Sequence, residues 1–292
     1  MVPTGRILLK RVRRHVGSFL VVFSLATVLH AGQVAKSIES ADPQPEEERF
    51  RHWVVVPMYS YLFFDNSRRS WQEGGIQFLY QFNRKLMLGA EIDIMQRPPS
   101  GTDTYYSALA SYFPFPAKHL ELHGKITISP DPIFAAKQIY GGGLEYQIMP
   151  RLGLLLDYQR YDFIQGSIDQ IKPGLTIGIT DGTSVTLRYV RGWAFSSLQY
   201  NYYSAALNLG LAGHRRLSPA VSYGTDPNSE IGSGGSPLTS LSPAHTYSVF
   251  YREPFTRDLS LFIGVQYVDR LTQHGNPLYK QLTPTIGSAW KF

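Results

Sequence analysis

The chain has 292 residues and no cysteine, which excludes disulfide bonds, a lipid anchor on cysteine and thiolate metal sites. Only 17% of its residues are charged and 13% are aromatic, whereas an average soluble domain carries about 25% charge. The net charge of +6 arises almost entirely before position 15, where five basic residues and no acidic residue occur; the rest of the chain has 23 basic and 22 acidic residues. The charge therefore does not indicate a nucleic-acid partner.

Residues 1–31 have the three parts of a secretory signal peptide. A basic segment ends at Arg14, an apolar run extends from Val16 to Leu29, and the small residues Ala31 and Gly32 provide a cleavage point. The apolar run is shorter than the roughly 20 residues that a transmembrane helix needs. We therefore expect residues 1–31 to be removed during export.

Residues 32–51 form a polar region, which contains Pro43, Pro45 and three consecutive glutamates at 46–48. Its low hydrophobicity predicts a disordered linker on the periplasmic side of the membrane. The remaining region, residues 52–292, consists of short alternating runs separated by glycine, proline, asparagine and aspartate. This region is predicted to be a single outer-membrane domain.

Many runs in this domain alternate between an apolar residue and a small or polar residue, which is the pattern of a β-strand with two different faces. In the run 86–94, leucine, alanine and isoleucine alternate with Gly89, Glu91 and Asp93. The polar faces are rich in glycine, serine and threonine, whereas a soluble β-sandwich usually presents lysine, glutamate and arginine to water. The pattern therefore favours an all-β, closed antiparallel transmembrane β-barrel, with apolar faces toward lipid and small polar faces toward the lumen.

About fourteen such runs occur, and the connections between them are alternately short and longer, as in outer-membrane barrels. An even number of strands places both ends of the domain in the periplasm. Two signals are weak, because Pro57 interrupts the first run and the loop at 193–199 is poorly marked, so a twelve-stranded barrel is the alternative. The predicted strands are 53–64, 71–82, 86–96, 103–113, 118–129, 135–148, 151–162, 168–180, 184–193, 199–211, 214–224, 244–253, 257–271 and 281–292.

The last eight residues resemble the barrel-assembly signal of outer-membrane proteins, which has a polar residue, a glycine, an aromatic residue and a terminal phenylalanine at fixed spacing. Thr285, Gly287, Trp290 and Phe292 occupy those positions. The resemblance implies that the barrel-assembly machinery recognises this final strand, which pairs by strand addition. Together with the predicted signal peptide, it indicates the outer membrane as the location.

Three further segments resemble the YaiO family of outer-membrane β-barrels: Phe64 to Pro98, Gly141 to Tyr146, and Ser222 to Asn228 followed by a Gly- and Ser-rich loop. In that family a similar Tyr-Gly segment ends a late strand and opens a long loop. The resemblance implies the same fold and location, an envelope or exopolysaccharide context, and no catalytic signature. This chain lacks the long N-terminal helical-repeat region that some relatives carry.

Seven charged residues on the predicted lumen faces are the candidate functional residues. Either they pair with one another and stiffen the barrel, or they line a pore that selects solutes. Both interpretations stay open, because a barrel of about fourteen strands is wider than the eight-stranded kind that side chains fill. The candidates are Glu91, Asp93, Glu121, Lys125, Glu145, Asp157 and Arg188.

Outer-membrane barrels also include enzymes, for which His123 is the best candidate because it is predicted to face the lumen between Glu121 and Lys125. A catalytic histidine needs a nucleophile and an orienting partner, which the sequence does not place. No metal site is expected, since His119 and His123 would lie about 13 Å apart along one strand face. No cofactor is expected either, since no helix follows the glycines at 141–143 to bind phosphate.

The sequence thus predicts a non-enzymatic outer-membrane barrel, either a channel or an envelope component associated with exopolysaccharide. The alternative function is an enzyme that modifies lipid or lipopolysaccharide. The expected partners are outer-membrane lipid, lipopolysaccharide, the barrel-assembly machinery, and a polysaccharide or small solute.

Overall fold

The computed structural model describes residues 53–65, 70–83, 85–99, 101–115, 120–133, 135–164, 166–194, 198–227, 241–272 and 274–292. The predicted signal peptide and linker, residues 1–31 and 32–51, lie outside the described residues. The described chain forms fourteen strands and a short 3₁₀ turn at Ala212–His214. The strands are β1 (Trp53–Phe64), β2 (Trp71–Asn83), β3 (Leu86–Arg97), β4 (Gly101–Phe115), β5 (Leu120–Ile128), β6 (Gln138–Met149), β7 (Leu152–Phe163), β8 (Gly166–Thr180), β9 (Thr183–Ala194), β10 (Leu198–Gly210), β11 (Arg216–Pro227), β12 (Leu241–Pro254), β13 (Leu259–Leu271) and β14 (Pro277–Lys291).

These strands close into one antiparallel barrel, in which each strand pairs with its sequence neighbour and β1 pairs with β14. Closure gives every strand two partners, so no strand edge is left in the membrane. In hydrocarbon each unpaired backbone group costs several kcal/mol, which is why strands cross a bilayer only as closed barrels. The prediction of a closed fourteen-stranded barrel is confirmed, and the twelve-stranded alternative is wrong.

The two faces of each strand differ sharply in exposure, as the alternating sequence predicts. On β5, Ile126 is 61% exposed and its neighbour Thr127 only 5%. On β8, Ile171 is exposed and Lys172 is buried. The exposed row is apolar and the enclosed row is polar, which is the reverse of a soluble protein and suits a barrel surrounded by lipid.

In the described part of the chain, no helix is both long enough and apolar enough to span a bilayer.

Aromatic side chains cluster on the outer face near both ends of the barrel. At one end the ring of Trp53 lies 4.7 Å from that of Tyr80, which lies 4.5 Å from that of Phe82. At the other end of β1, the rings of Tyr61 and Phe63 are 4.6 Å apart. Such rings mark the two interfaces between lipid and water.

The two ends of the barrel carry different connections. The end with Trp53 and Phe292 has only short connections, whereas the two longest, 129–137 and 228–240, are at the opposite end. Short turns lie on the periplasmic side of outer-membrane barrels. The end with both termini is therefore the periplasmic end.

The structure contains strands at both places where the sequence pattern was weak, the first run with its proline and the region around the loop at 193–199. Pro57 lies within β1, opposite Ile76 of β2. β9 continues to Ala194 and β10 begins at Leu198, so the predicted loop at 193–199 is shorter than expected. Several strands extend past their predicted ends, because the alternation of apolar and polar residues fades where a strand leaves the lipid while its backbone pairing continues.

Candidate functional site in the barrel lumen

The lumen contains a cavity of about 760 Å³. All seven predicted lumen charges line it: Glu91, Asp93, Glu121, Lys125, Glu145, Asp157 and Arg188. His123 lines it as well. Their inward direction follows from the strand alternation that the sequence showed, and the closed barrel brings them around one space.

Charges of opposite sign occupy opposite sides of the lumen. The inward side chains of β2 to β7 form an acidic wall: Glu73, Glu91, Asp93, Asp103, Glu121, Glu145 and Asp157. The inward side chains of β8 to β13 form a basic wall: Lys172, Arg188, Arg216, Arg252 and Arg270. Among side chains that the structure describes, no acid faces inward on β8 to β13, and only Arg97 and Lys125, besides His123, are basic groups on the acidic side. The lumen therefore carries an electric field across its width.

The two walls meet at Asp157, which is shared by two basic partners. Its Oδ1 lies 2.7 Å from His123 Nε2, and its Oδ2 accepts a hydrogen bond from Arg188. His123 stands on β5, Asp157 on β7 and Arg188 on β9, so each contact passes over an intervening strand. Gly143 on β6 and Gly174 on β8 leave the necessary room.

A side chain at either glycine would collide with this network. A Cβ at Gly143 would lie 2.1 Å from Asp157 Oδ1 and 2.9 Å from His123 Nε2. A Cβ at Gly174 would lie 2.8 Å from Cγ of Arg188. Glycine at 143 and at 174 therefore relieves crowding of the side chains in the lumen.

A second ion pair stabilises the acidic wall. Lys125 Nζ donates to Glu91 Oε2 at 2.5 Å, and Glu91 is only 3% exposed. Hydrogen bonds extend this network sideways, since Ser111 donates to Glu121 at 3.1 Å. Lys172, from the basic wall, donates to Gln159 at 2.5 Å. Some of the lumen charges therefore form ion pairs, whereas others share one side of the lumen with charges of the same sign. The two interpretations of the sequence, mutual pairing and a charged pore lining, thus describe different parts of one network.

The connection between β5 and β6 turns into the lumen near its extracellular end. Asp103 on β4 accepts hydrogen bonds from the backbone N–H groups of Ile133 and Ala135, both at 2.7 Å. Ala135 and Ala136 are consequently buried among the inward aromatic side chains of neighbouring strands. Near the same end, the guanidinium of Arg97 lies 4.3 Å from the ring centre of Trp71. At this level the lumen is therefore partly filled by backbone and buried side chains.

The periplasmic half of the cavity also has an apolar side, which the alternation of the sequence did not indicate. Phe250 lies against Gly264, and Phe262 lies against Gly287, where an added Cβ would in each case be 2.2 Å from the ring. Because the facing residues are glycines, both rings pack close to the backbone of the barrel wall. This apolar arc consists of Phe250, Phe262, Val56, Met58, Leu79, Met87, Leu109 and Phe113.

The sequence contained signals for the residues that were missed. Val54, Val55 and Val56 form an unbroken apolar run, which shows that β1 is apolar on both faces. Glu73 precedes an alternating run on β2, and Arg216 and Arg252 lie near the ends of their strands. The sequence alone did not show that the last two are opposite each other, because that depends on the β11–β12 register.

Three of the four residues of the predicted assembly signal lie on β14, two on its inner face and one on its outer face, and Phe292 directly follows the strand. Thr285 faces inward and its hydroxyl lies 2.8 Å from that of Ser60. Gly287 faces inward beneath Phe262, as described above. Trp290 is exposed on the outer face, and the backbone N–H of Phe292 donates to Trp53 O at 2.9 Å.

The described histidines show no metal arrangement. Within the described ranges, no group of three or more histidine, aspartate or glutamate side chains is arranged to hold a metal ion. His245 faces outward beside the ring of Tyr223, with 4.8 Å between ring centres. His119, the partner considered for His123, lies outside the described residues.

The chain matches no family model and none of the curated proteins. Solved structures do resemble it. The CymD monoaromatic hydrocarbon channel is 10% identical, with a TM-score of 0.56 over 83% of this chain and 89% of that one. A FadL homologue from Pseudomonas aeruginosa is 7% identical, with a TM-score of 0.54 over 82% and 90%. Omp33 of Acinetobacter baumannii is 11% identical, with a TM-score of 0.48 over 83% and 98%.

At these identities the likeness concerns the fold. The two likenesses with TM-scores above 0.5 agree with the closed barrel. The apolar outer face and the aromatic girdles place this barrel in a bilayer. The protein is an integral outer-membrane β-barrel with the architecture of outer-membrane channels.

Proposed function

We propose that this barrel is a non-enzymatic channel of the outer membrane, of the YaiO type, for small charged solutes. The observation that carries the proposal is the cavity of about 760 Å³ between an acidic and a basic wall. A barrel that served only as a membrane anchor would need no such separation of charge. A solute that carries both signs of charge, or a strong dipole, is oriented by the field between the walls.

The inward connection at the extracellular end supports a size limit for these solutes. Asp103 holds the backbone at Ile133 and Ala135, so the narrow level is built from fixed backbone rather than from long side chains. A solute must pass this level to reach the periplasmic half. We therefore infer that small solutes or single sugar units pass, and that a polysaccharide chain passes only in extended form.

The YaiO assignment rests on the sequence likeness and gains support from where one segment lies. The Tyr223-Gly224 pair lies near the end of β11, before the connection 228–240. Gly224 has φ of +150°, and a Cβ there would lie 2.4 Å from Tyr202 Cα. Glycine is therefore required at this position of the motif. An envelope or exopolysaccharide context, contact with lipopolysaccharide, and recognition by the barrel-assembly machinery belong to the same proposal.

Conductance in planar bilayers tests the proposed channel. We expect the wild-type protein to conduct, and the double variant Glu91→Gln, Asp93→Asn to become less permeable to cations relative to anions. A unit charge about 7 Å from an ion in water contributes roughly 0.6 kcal/mol, so each charge removed is expected to shift the permeability ratio about two- to threefold. The reversal potential in a salt gradient measures this shift.

Glu253→Gln is the matched control, because Glu253 lies on β12 outside the cavity and pairs with Arg215 at 2.9 Å. It removes one acid without changing the lumen. A barrel that stays silent at every voltage contradicts the channel, and an equal shift in the control contradicts the assignment to the acidic wall.

A further inference from the structure

Glu73 on β2 differs from most carboxylates of the acidic wall in its hydrogen bonding. It is 9% exposed and lines the cavity, and among the described residues no donor reaches its Oε2 atom. Other acids of this wall accept hydrogen bonds from identified donors: Glu91 from Lys125, Asp103 from the backbone at Ile133 and Ala135, Glu121 from Ser111, and Asp157 from Arg188. A buried carboxylate oxygen without a donor is costly. Glu73 thus keeps an unused acceptor at the edge of the cavity.

The nearest basic residue in the strand register, Arg97, is directed away from this acceptor. Arg97 lies on β3, two residues beyond Met95, which is the register partner of Glu73. Its Nη2 donates to Met95 Sδ at 3.1 Å, and its guanidinium lies 4.3 Å from the ring centre of Trp71. These contacts hold Arg97 on the extracellular side of Glu73. Arg97 therefore offsets part of the negative charge here without binding Oε2.

A second carboxylate, that of Asp93, lies beside Glu73. Asp93 on β3 is directly opposite Gly75 of β2, and a Cβ at Gly75 would collide with Asp93 Oδ1. The Asp93 side chain therefore extends over Gly75 toward β2. Glu73 is two residues from Gly75 on the same face, which makes it the diagonal neighbour of Asp93. The two carboxylates thus line the same part of the cavity.

Negative charge is in excess around these two residues. Four carboxylates, those of Glu73, Glu91, Asp93 and Asp103, stand near two basic side chains, Lys125 and Arg97. Lys125 pairs with Glu91 at 2.5 Å, and Asp103 is held by backbone N–H groups. Among the side chains described here, the remaining excess falls on Glu73 and Asp93. Like charges in a confined space repel, so a small cation is attracted to this place.

Tyr105 completes a recess beneath the inward connection. It stands opposite Asp93 on β4, is 4% exposed and lines the cavity. On its other side it packs in one cluster with Ala135 and Ala136 of the connection. The recess is therefore bounded by β2, β3, β4 and this connection. Its walls are nearly fully buried, so it admits the end of a ligand rather than a whole molecule.

The chemistry of the recess fits an organic ammonium better than a metal ion. Within the described ranges, no group of three or more carboxylate or histidine side chains is arranged to hold a metal. A primary ammonium is a compact charge with three N–H donors, which can bond to two separate carboxylates. An aromatic residue such as Tyr105 also favours a cation beside it.

We propose that Glu73 and Asp93 bind the primary ammonium group of a small solute inside the cavity. This inference rests on the proposed channel, which brings the solute into the lumen, and it names the positive end of that solute. The ammonium donates to Glu73 Oε2, which supplies the missing donor, and to the Asp93 carboxylate. The basic wall across the lumen is then available to the rest of the solute.

Binding of a fluorinated amine to the barrel in nanodiscs tests the subsite. The probe is 4,4,4-trifluorobutylammonium, and the uncharged 4,4,4-trifluorobutanol has the same chain without the charge. A titration followed by fluorine NMR gives the Kd of each. We expect the wild-type barrel to bind the amine at least tenfold more tightly than the alcohol, and Glu73→Gln to weaken amine binding at least tenfold.

Glu121→Gln is the matched comparison, since it removes one acid from the same wall nearer the periplasmic end of the lumen. We expect it to weaken amine binding less than twofold, because charges beyond about 10 Å are largely screened by salt. Thermal unfolding gives a second readout that also reports folding. Saturating amine should raise the Tm of the wild type but not that of Glu73→Gln. Without amine, Glu73→Gln should unfold at the wild-type temperature or above, since it loses a buried charge that lacks a donor.

Three results overturn the proposed subsite. Amine binding as tight in Glu73→Gln as in the wild type shows that Glu73 is not the acceptor. Equal losses in Glu73→Gln and Glu121→Gln show a general attraction to the acidic wall. Equal affinities for amine and alcohol show that the charge is not recognised. Conductance of the same samples separates the two proposals: a barrel that conducts without binding amine contradicts the subsite alone, and a silent barrel that binds amine contradicts the channel alone.

Discussion

Small residues decide which charges meet in the lumen. Asp157 contacts His123 and Arg188 from strands that are not its neighbours, and it does so because Gly143 and Gly174 stand between. In a barrel the inward side chains of adjacent strands compete for the same space. A glycine between two longer side chains therefore acts as a spacer that lets an ion pair form across a strand.

Gly143→Ala is predicted to destabilise the barrel, because the new methyl group would overlap Asp157 Oδ1 and approach the backbone oxygen of Leu156 at 2.7 Å. Overpacking of this kind costs about 1–3 kcal/mol. Unfolding by urea in detergent or lipid vesicles measures the loss. Gly153→Ala is the control, since the nearest atom to its Cβ would be 3.7 Å away, and an equal loss in both variants contradicts the spacer role.

At the scale of single elements, one side chain holds the inward connection between β5 and β6. Asp103→Ala removes the acceptor of the Ile133 and Ala135 N–H groups, so we expect the segment 129–137 to leave the lumen and the conductance to rise. Single-channel recording measures the increase. Asp131→Ala, in the same segment but exposed, should leave the conductance unchanged. A conductance equal to wild type in the Asp103 variant would show that this segment does not restrict the lumen.

The elements themselves were largely predictable from the sequence, since each strand between lipid and lumen must alternate. The run at 86–94 is an example, because its alternation places Glu91 and Asp93 on the inner face, and both line the cavity. Inward residues were hardest to predict on a strand that contacts lipid on one face and belongs to the apolar arc on the other, as at Val56. Both faces of such a strand are apolar, so the sequence does not alternate. The sequence also did not show that Asp103 holds the connection between β5 and β6, because this contact joins residues about thirty positions apart.

At the scale of the whole molecule, the charge separation is a consequence of closure. Sequence patterns assign a residue to a face, but only the register and the order of strands around the ring place Arg252 beside Arg216 and across from the acidic wall. The same closure places Pro57 of β1 and Pro284 of β14 on neighbouring strands, although 227 positions separate them along the chain. Local patterns carry no information about such pairs.

The most direct test of the whole account compares two adjacent residues on β9, Thr186, which lines the cavity, and Leu187, which is exposed on the outer face. Single cysteines at these positions, spin-labelled in liposomes, report collisions with oxygen, which concentrates in lipid, and with a water-soluble nickel chelate. We predict that the label at Leu187 collides mainly with oxygen and the label at Thr186 mainly with the chelate. Similar collision rates at both positions, or the reverse order, would contradict a lipid-facing outer surface around a water-filled, charged lumen.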